Sequence, residues 1–182
     1  MTAQKLTKAL LFAAKKHTDQ RRKGERGEPY VNHLAEVADL LALHTGGADT
    51  DLICAGLLHD TIEDTNTKYD ELAREFGENV ADIVQECSDD KSLPKQERKR
   101  LQAENAPHKS DSAKMVKMAD KISNLRSILD SPPPDWGLER KQEYFNWAKS
   151  VVDGCRGVNQ GLEDEFDRTF LRGAKTFGIK PA

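Results

Sequence analysis

The sequence predicts an all-α protein. Three observations lead there. Apolar residues recur at three- and four-residue steps along most of the chain, strand-like alternation rich in Val, Ile, Thr and aromatics is almost absent, and the periodic segments end at helix stops such as Gly46-Gly47 and Pro132-Pro133-Pro134.

The first helix is expected over residues 5–17, with Leu6, Ala9, Leu10, Ala13 and Ala14 on one face. Residues 18–28 are polar, contain Arg21-Arg22-Lys23-Gly24, and read as a loop. Pro29 then sets up a helix over 32–45 whose inward stripe holds His33, Val37, Leu40 or Leu41, and His44; Gly46-Gly47 ends it. Asp49 or Thr50 can cap the next helix, 51–62, which is apolar nearly all round and should therefore be central. Thr67 with Asp70 resembles a capping box for a helix over 69–87. Residues 88–108 carry Lys91, Lys95, Arg98, Lys99 and Arg100 and read as a loop plus a short exposed helix. A long helix is expected over 113–129, with Met115, Met118, Ala119, Ile122, Leu125 and Leu129 at helical steps, and the three prolines stop it. Two amphipathic helices follow, 138–152 and 161–177. No repeat, low-complexity tract or linker interrupts this pattern, so residues 1–182 are expected to form one domain.

Composition narrows the function classes. The chain has 182 residues, 37% hydrophobic and 32% charged, enough for a hydrophobic core under a polar surface. A formal net charge of −3 supplies no field that would recruit nucleic acid or an anionic membrane. Cys54, Cys87 and Cys155 show neither metal spacing nor a disulfide framework, which suits a reducing, cytoplasmic setting. Residues 1–8 lack the apolar core of a signal peptide, and no apolar run approaches the roughly 20 residues that span a bilayer. The sequence is compatible with a monomer or a homo-oligomer.

The chemistry concentrates at His59-Asp60-Thr61-Ile62-Glu63-Asp64, directly after the apolar run Leu52-Ile53-Cys54-Ala55-Gly56-Leu57-Leu58. Burying ionisable groups is costly unless they are paired or hold a metal, so this density at the end of a buried segment is hard to assign to packing. If the helix or its turn continues that far, His59 lines up with Glu63 and Asp60 with Asp64. Two groups could then ligate a metal while two work on a water beside it. Imidazole and carboxylate without thiolate suit Mn²⁺, Fe²⁺, Co²⁺ or Zn²⁺. Further ligands must come from elsewhere. His33 is a candidate because it opens a helix after Pro29-Tyr30-Val31-Asn32, and Asp120 because it interrupts an apolar stretch; Asn124, one turn on, could orient a water or a substrate hydroxyl.

Each residue has a plainer account. A lone His-Asp pair is common on surfaces and at helix ends, His33 alone could be a first-turn residue, and Asp120 alone could pair with Lys117. His17, His44 and His108 have no companions and read as structural or solvent-facing. The clusters Arg21-Arg22-Lys23 and 95–100 are most often solvated surface. Yet water attacking phosphorus needs cations around the phosphates, Arg as a bidentate donor and Lys as a point charge.

The order His33, His59-Asp60, Asp120 resembles the HD superfamily of metal-dependent phosphohydrolases. The longer motifs Pro29-Tyr30-Val31-Asn32-His33, Leu57-Leu58-His59-Asp60-Thr61-Ile62-Glu63-Asp64-Thr65 and Val116-Lys117-Met118-Ala119-Asp120-Lys121-Ile122-Ser123-Asn124-Leu125-Arg126 resemble the hydrolase domain of RelA/SpoT enzymes. Asp89-Asp90-Lys91-Ser92-Leu93-Pro94-Lys95 and Gln142-Glu143-Tyr144-Phe145 resemble the stand-alone small alarmone hydrolases of the metazoan SpoT homologue type. The resemblance covers residues 9–178. It implies an HD-domain helical bundle of about eight to ten helices that binds one Mn²⁺ and removes pyrophosphate from the 3′ position of guanosine tetra- and pentaphosphate, the alarmones of the stringent response. By motif match His33, His59, Asp60 and Asp120 would ligate the metal, and Glu63 and Asp64 would position and activate water. Asn124 would hold the nucleotide near the metal, Arg22 and Lys23 would lie beside guanine or phosphates, and Tyr144, Lys95 and Arg140 would be peripheral substrate contacts. One departure is Leu34, where the family commonly has proline; it should alter local rigidity and leave the ligand in place. The chain is too short for the synthetase and regulatory domains of the bifunctional enzymes, so hydrolysis without synthesis is expected. An NADPH 2′-phosphatase or another nucleotide phosphohydrolase would use the same site. An alarmone sensor on a dead scaffold would be expected to have lost a ligand or the Glu63-Asp64 pair, and all are present.

Overall fold

The computed structural model describes residues 2–179; the expected domain limits at residue 1 and 180–182 lie outside the described residues. Among the described residues ten α-helices run α1 (Thr2–Lys16), α2 (Val31–Thr45), α3 (Thr50–Leu58), α4 (Thr61–Asp64), α5 (Tyr69–Phe76), α6 (Glu78–Cys87), α7 (Lys95–Asn105), α8 (Asp111–Asp130), α9 (Leu138–Asp153) and α10 (Gln160–Phe177), with one 3₁₀ turn at Ala106–His108. Among the described residues the only strand-like feature is a single bridge between Arg21 and Pro29. No described helix is long and apolar enough to cross a membrane.

The expected interior is where the sequence placed it. Every residue of α3 from Leu52 to Leu58 is buried. Asp49 caps this helix, accepting from the backbone N–H groups of Asp51 and Leu52 at 3.0 Å. α3 packs against α1, α2 and α6, and α8 against α2, α6, α9 and α10. The α2–α3 crossing is close at Gly56, where an added Cβ would sit 2.6 Å from the Leu41 side chain and 3.5 Å from the Ala38 Cα. On α1 the inward face is Leu6, Ala9 and Ala13, while Leu10 is 40% exposed and lies off it.

Two helices differ from their expected spans. The segment 51–62 does not continue as one helix: α3 ends at Leu58, His59 and Asp60 form a turn, and α4 restarts at Thr61. Asp60 has φ −97° and ψ −2°, away from helical values, while its carbonyl still accepts from the Asp64 N–H at 2.8 Å. The segment 69–87 breaks at Gly77, whose φ of 96° is left-handed and ends α5 before α6 begins. The capping box at its start is absent. Lys68 is the N-cap and makes no side-chain cap, and the Thr67 hydroxyl instead meets that of Thr65 at 2.8 Å.

Leu34 is fully buried in the core, beside a His33 that remains on the site face of α2. The loop 17–30 is tied down beside the site. The Arg22 N–H donates to the Glu28 carbonyl at 2.8 Å, and Gly24 lies so close to Ser131 that a Cβ there would sit 2.3 Å from its carbonyl oxygen. The loop bearing Arg21, Arg22 and Lys23 is therefore fixed against the end of α8.

Candidate metal and phosphate site

The break between α3 and α4 makes the site. It turns His59 and Asp60 toward α2 and α8, where His33 and Asp120 face them. His33 Nε2 lies 3.3 Å from Asp120 Oδ1 and 3.7 Å from Asp60 Oδ2, and His59 Nε2 lies 3.1 Å from Asp60 Oδ2 and 3.8 Å from Asp120 Oδ1. A ligand atom from each of His33, His59 and Asp60 falls within 4.8 Å of the others. The residues are nearly closed to solvent, with His33 3%, His59 4% and Asp120 8% exposed. Both Nε2 atoms are buried and neither makes a hydrogen bond of acceptable geometry. Buried polar atoms are almost always partnered, so two imidazole nitrogens converging on two carboxylates without a hydrogen bond fit a divalent cation. His59 Nδ1 is held by the Gly56 carbonyl at 2.8 Å and His33 Nδ1 by Ser123 Oγ at 2.8 Å.

Electrostatics favour the same use. Burial would push the Asp60 carboxyl up, but His59 and His33 hold it well below the usual carboxylate range. Burial acts likewise on Asp120, and Lys121, His33 and His59 hold it low. Burial opposes a charge on His59, and the Asp60 and Asp120 carboxylates overcome that and raise it. This is the negative field a cation would meet.

Neighbours complete the arrangement. The Tyr30 hydroxyl donates to Asp60 Oδ2 at 2.6 Å, its ring stacked on His17 at a centroid distance of 5.2 Å. Lys121 Nζ donates to Asp120 Oδ2 at 2.8 Å and lies 4.5 Å from the Trp147 ring centroid. Asn124 Nδ2 donates to Asp120 Oδ1 at 2.6 Å while its Oδ1 accepts from Arg22 at 2.8 Å. The alternative pairing of Asp120 with Lys117 does not occur: Lys117 Nζ donates to the Cys87 carbonyl at the end of α6.

Glu63 and Asp64 stand one turn away, at the mouth. Glu63 Oε2 accepts from the Asp89 N–H at 3.1 Å, and Oε1 lies 3.6 Å from Arg98 and 3.7 Å from Lys91. Burial, then the charges of Asp60 and Asp89, raise the Glu63 carboxyl. Asp64 accepts from Lys91 at 2.5 Å and from Gln20 at 2.9 Å.

The site opens on one cavity of about 740 Å³. The sequence-predicted Arg22, Lys23, Lys95, Asn124, Arg140 and Tyr144 all line it, with His59, Asp60, Glu63, Asp64 and Asp120; His33 lies behind its floor. Trp136, Tyr144 and Trp147 form an aromatic run on one wall at centroid spacings of 5.4 and 5.2 Å, and Arg140 lies 4.5 Å above the Trp136 ring. Lys23, Lys95 and Lys99 form no ion pair among the described residues. Burial and the neighbouring charges of Lys23, Arg140 and Arg98 lower Lys95. Sequence reasoning named Lys91 and Arg98 only as members of a charged segment, and it did not single out Tyr30, Gln20, Lys121 or Trp136. Tyr30 and Lys121 sat inside the quoted motifs, but only contacts across the fold give them partners.

Comparison with known proteins agrees with this geometry. The family described as HD domain matches residues 9–144. A Xenopus tropicalis protein named guanosine-3′,5′-bis(diphosphate) 3′-pyrophosphohydrolase MESH1 is 51% identical over 166 residues, 91% of this chain and 93% of the relative. The Homo sapiens protein of the same name is 49% identical over 168 residues, 92% and 94% of the two chains. A solved structure reported under the words "A metazoan ortholog of SpoT hydrolyzes ppGpp and plays a role in starvation responses" superposes with a TM-score of 0.89 at 45% identity, covering 92% of this chain and 94% of the other.

Proposed function

The chain belongs to the HD-domain family and, within it, to the MESH1 pyrophosphohydrolases, and on that premise we propose that it is a Mn²⁺-dependent guanosine-3′,5′-bis(diphosphate) 3′-pyrophosphohydrolase. Its products are GDP or GTP and pyrophosphate. The observation that carries the reading is the pair of imidazole nitrogens without hydrogen bonds, facing two carboxylates beneath a cavity whose Lys23, Lys95 and Lys99 form no ion pair among the described residues.

His33, His59, Asp60 and Asp120 hold the metal in this reading, all four donors being nitrogen or oxygen. When bound, the ion supplies Lewis-acid polarisation of the attacked phosphoryl group and an easier proton loss from water. The protein's own groups do the rest. Glu63 accepts a proton from the attacking water, and its raised carboxyl makes it a stronger base than an exposed glutamate. Asp64, fixed by Lys91 and Gln20, holds that water in line. The water oxygen bonds to the phosphorus next to the ribose, the bond from that phosphorus to the 3′-oxygen breaks, and the 3′-oxygen regains a proton. Asn124 holds the nucleotide near the metal, Arg22 and Lys23 lie beside guanine or phosphates, and Lys95, Arg140 and Tyr144 are peripheral substrate contacts along the same cavity. The free buried cysteines Cys54, Cys87 and Cys155 suit a cytoplasmic enzyme acting as a single HD-type domain.

The test is to incubate metal-free protein with guanosine tetraphosphate and titrate Mn²⁺, Mg²⁺ and Zn²⁺ while measuring released pyrophosphate, with NADPH and phosphate release as the competing arm. Mn²⁺-dependent pyrophosphate release is expected. Turnover without metal, or of NADPH alone, overturns the reading.

A further inference from the structure

His33 and His59 present the same ring nitrogen to the centre of the site, but their opposite nitrogens are held differently. His59 Nδ1 meets the Gly56 carbonyl. A backbone carbonyl only accepts, so a neutral His59 carries its proton on Nδ1 whatever side chains surround it. His33 Nδ1 meets Ser123 Oγ, which can donate or accept. The next partner decides. The Ser123 hydroxyl donates to Glu36 Oε2 at 2.6 Å. Its one proton is thereby committed to a carboxylate, so Ser123 Oγ accepts from the His33 Nδ1–H. Arg126 donates to Glu36 Oε1 at 3.0 Å and is itself held by Glu165 of α10. Ser123 is 1% exposed, so water does not compete for its hydroxyl.

We infer that Ser123 and Glu36 are positioning residues that hold His33 in its Nδ1–H form and so keep the Nε2 lone pair free for a metal. The inference rests on the reading of His33 as a ligand. In the opposite form an N–H would point at Asp60 and Asp120, donating a hydrogen bond where a cation should sit. Second-layer partners of this kind are general at histidine-ligated metals, and their loss typically weakens metal binding about 10–100-fold.

The arrangement predicts an inversion by a near-isosteric change. In Glu36→Gln, Arg126 holds the amide oxygen, which turns the amide N–H toward Ser123 Oγ. The Ser123 hydroxyl then donates to His33 Nδ1, and the ring proton moves to Nε2.

Long-range ¹H–¹⁵N NMR of metal-free protein locates each ring proton. Wild type should show Nδ1–H on His33. Glu36→Gln should show Nε2–H there with the His59 spectrum unchanged, and calorimetric Mn²⁺ affinity should fall about 10–100-fold. Ser123→Ala, which removes the acceptor, should leave His33 in both forms and also weaken Mn²⁺. If Glu36→Gln folds, keeps Nδ1–H on His33 and binds Mn²⁺ like wild type, the relay is overturned. A wild type that holds Nδ1–H on His33 yet takes up no Mn²⁺ overturns the ligand reading instead.

Discussion

The floor and the wall of the cavity are built on opposite principles. The floor comes from α2, the α3–α4 turn and α8, which are interior elements. Eleven residues of α8 are buried, and four of them, Lys117, Asp120, Lys121 and Ser123, are polar or charged. Each is held by a named partner: Lys117 by the Cys87 carbonyl, Lys121 and Asp120 by each other, and Ser123 by Glu36. The wall comes from α7 and α9. α7 has no buried residue, and its Lys95 and Lys99 lie near other cations and form no ion pair among the described residues. Surface ion pairs contribute only about 0–1 kcal/mol, so little stability is lost by leaving such cations unpaired, and they remain available to phosphate. A buried floor whose side chains are fixed by hydrogen bonds can position reacting atoms, whereas a wall carrying lysines free of ion pairs can receive an anion.

That contrast is sharpest at Asp60. Asp60→Ala should abolish hydrolysis and Mn²⁺ binding together, by more than the roughly 10–100-fold typical of groups behind the ligands. Near-wild-type turnover or calorimetric Mn²⁺ uptake in this variant would mean the floor is not a metal site. Glu63→Ala, at the junction of floor and wall, should cost about 10²–10⁴ in kcat while Mn²⁺ affinity is retained, as expected for a lost general base. Loss of Mn²⁺ would place Glu63 among the ligands.

On the wall, Lys95→Ala should raise KM about tenfold, as expected for a charge-assisted contact, with kcat and Mn²⁺ affinity little changed and the wild-type affinity falling with salt. An unchanged KM would remove Lys95 from substrate binding. The smallest effect should come from Asp89→Asn. Glu63 accepts a proton only when ionised, so the rate falls as pH drops through its raised carboxyl value. Burial, Asp60 and Asp89 raise that value, so removing the Asp89 charge should move the acid limb of kcat to lower pH. A limb that stays or moves upward would show that Glu63 is not the titrating base.

Much of this is legible in the sequence. Helical steps located α1, α2, α8, α9 and α10 to within a few residues, because burial of one helix face is written at a period of 3.6. The His59–Asp64 density and the interrupting Asp120 marked the floor for a similar reason: charge inside an apolar run stands out locally. The break between Leu58 and Thr61 did not stand out, since no glycine or proline marks it. The Gly77 break carried a signal in its residue type, a glycine inside the expected helix 69–87.

The sequence by itself determined which residues could do the chemistry and which helices carry them. Only the tertiary structure decided their states: that Tyr30 holds Asp60, that Lys121 rather than Lys117 neutralises Asp120, and that Ser123 and Glu36 set the His33 proton. The reason is range. Periodicity and capping act within a few residues, whereas Ser123 lies 90 positions from His33 and 87 from Glu36. A single chain carries no local pattern that pairs groups so far apart, and it is packing of α2 on α8 that brings them within a hydrogen bond.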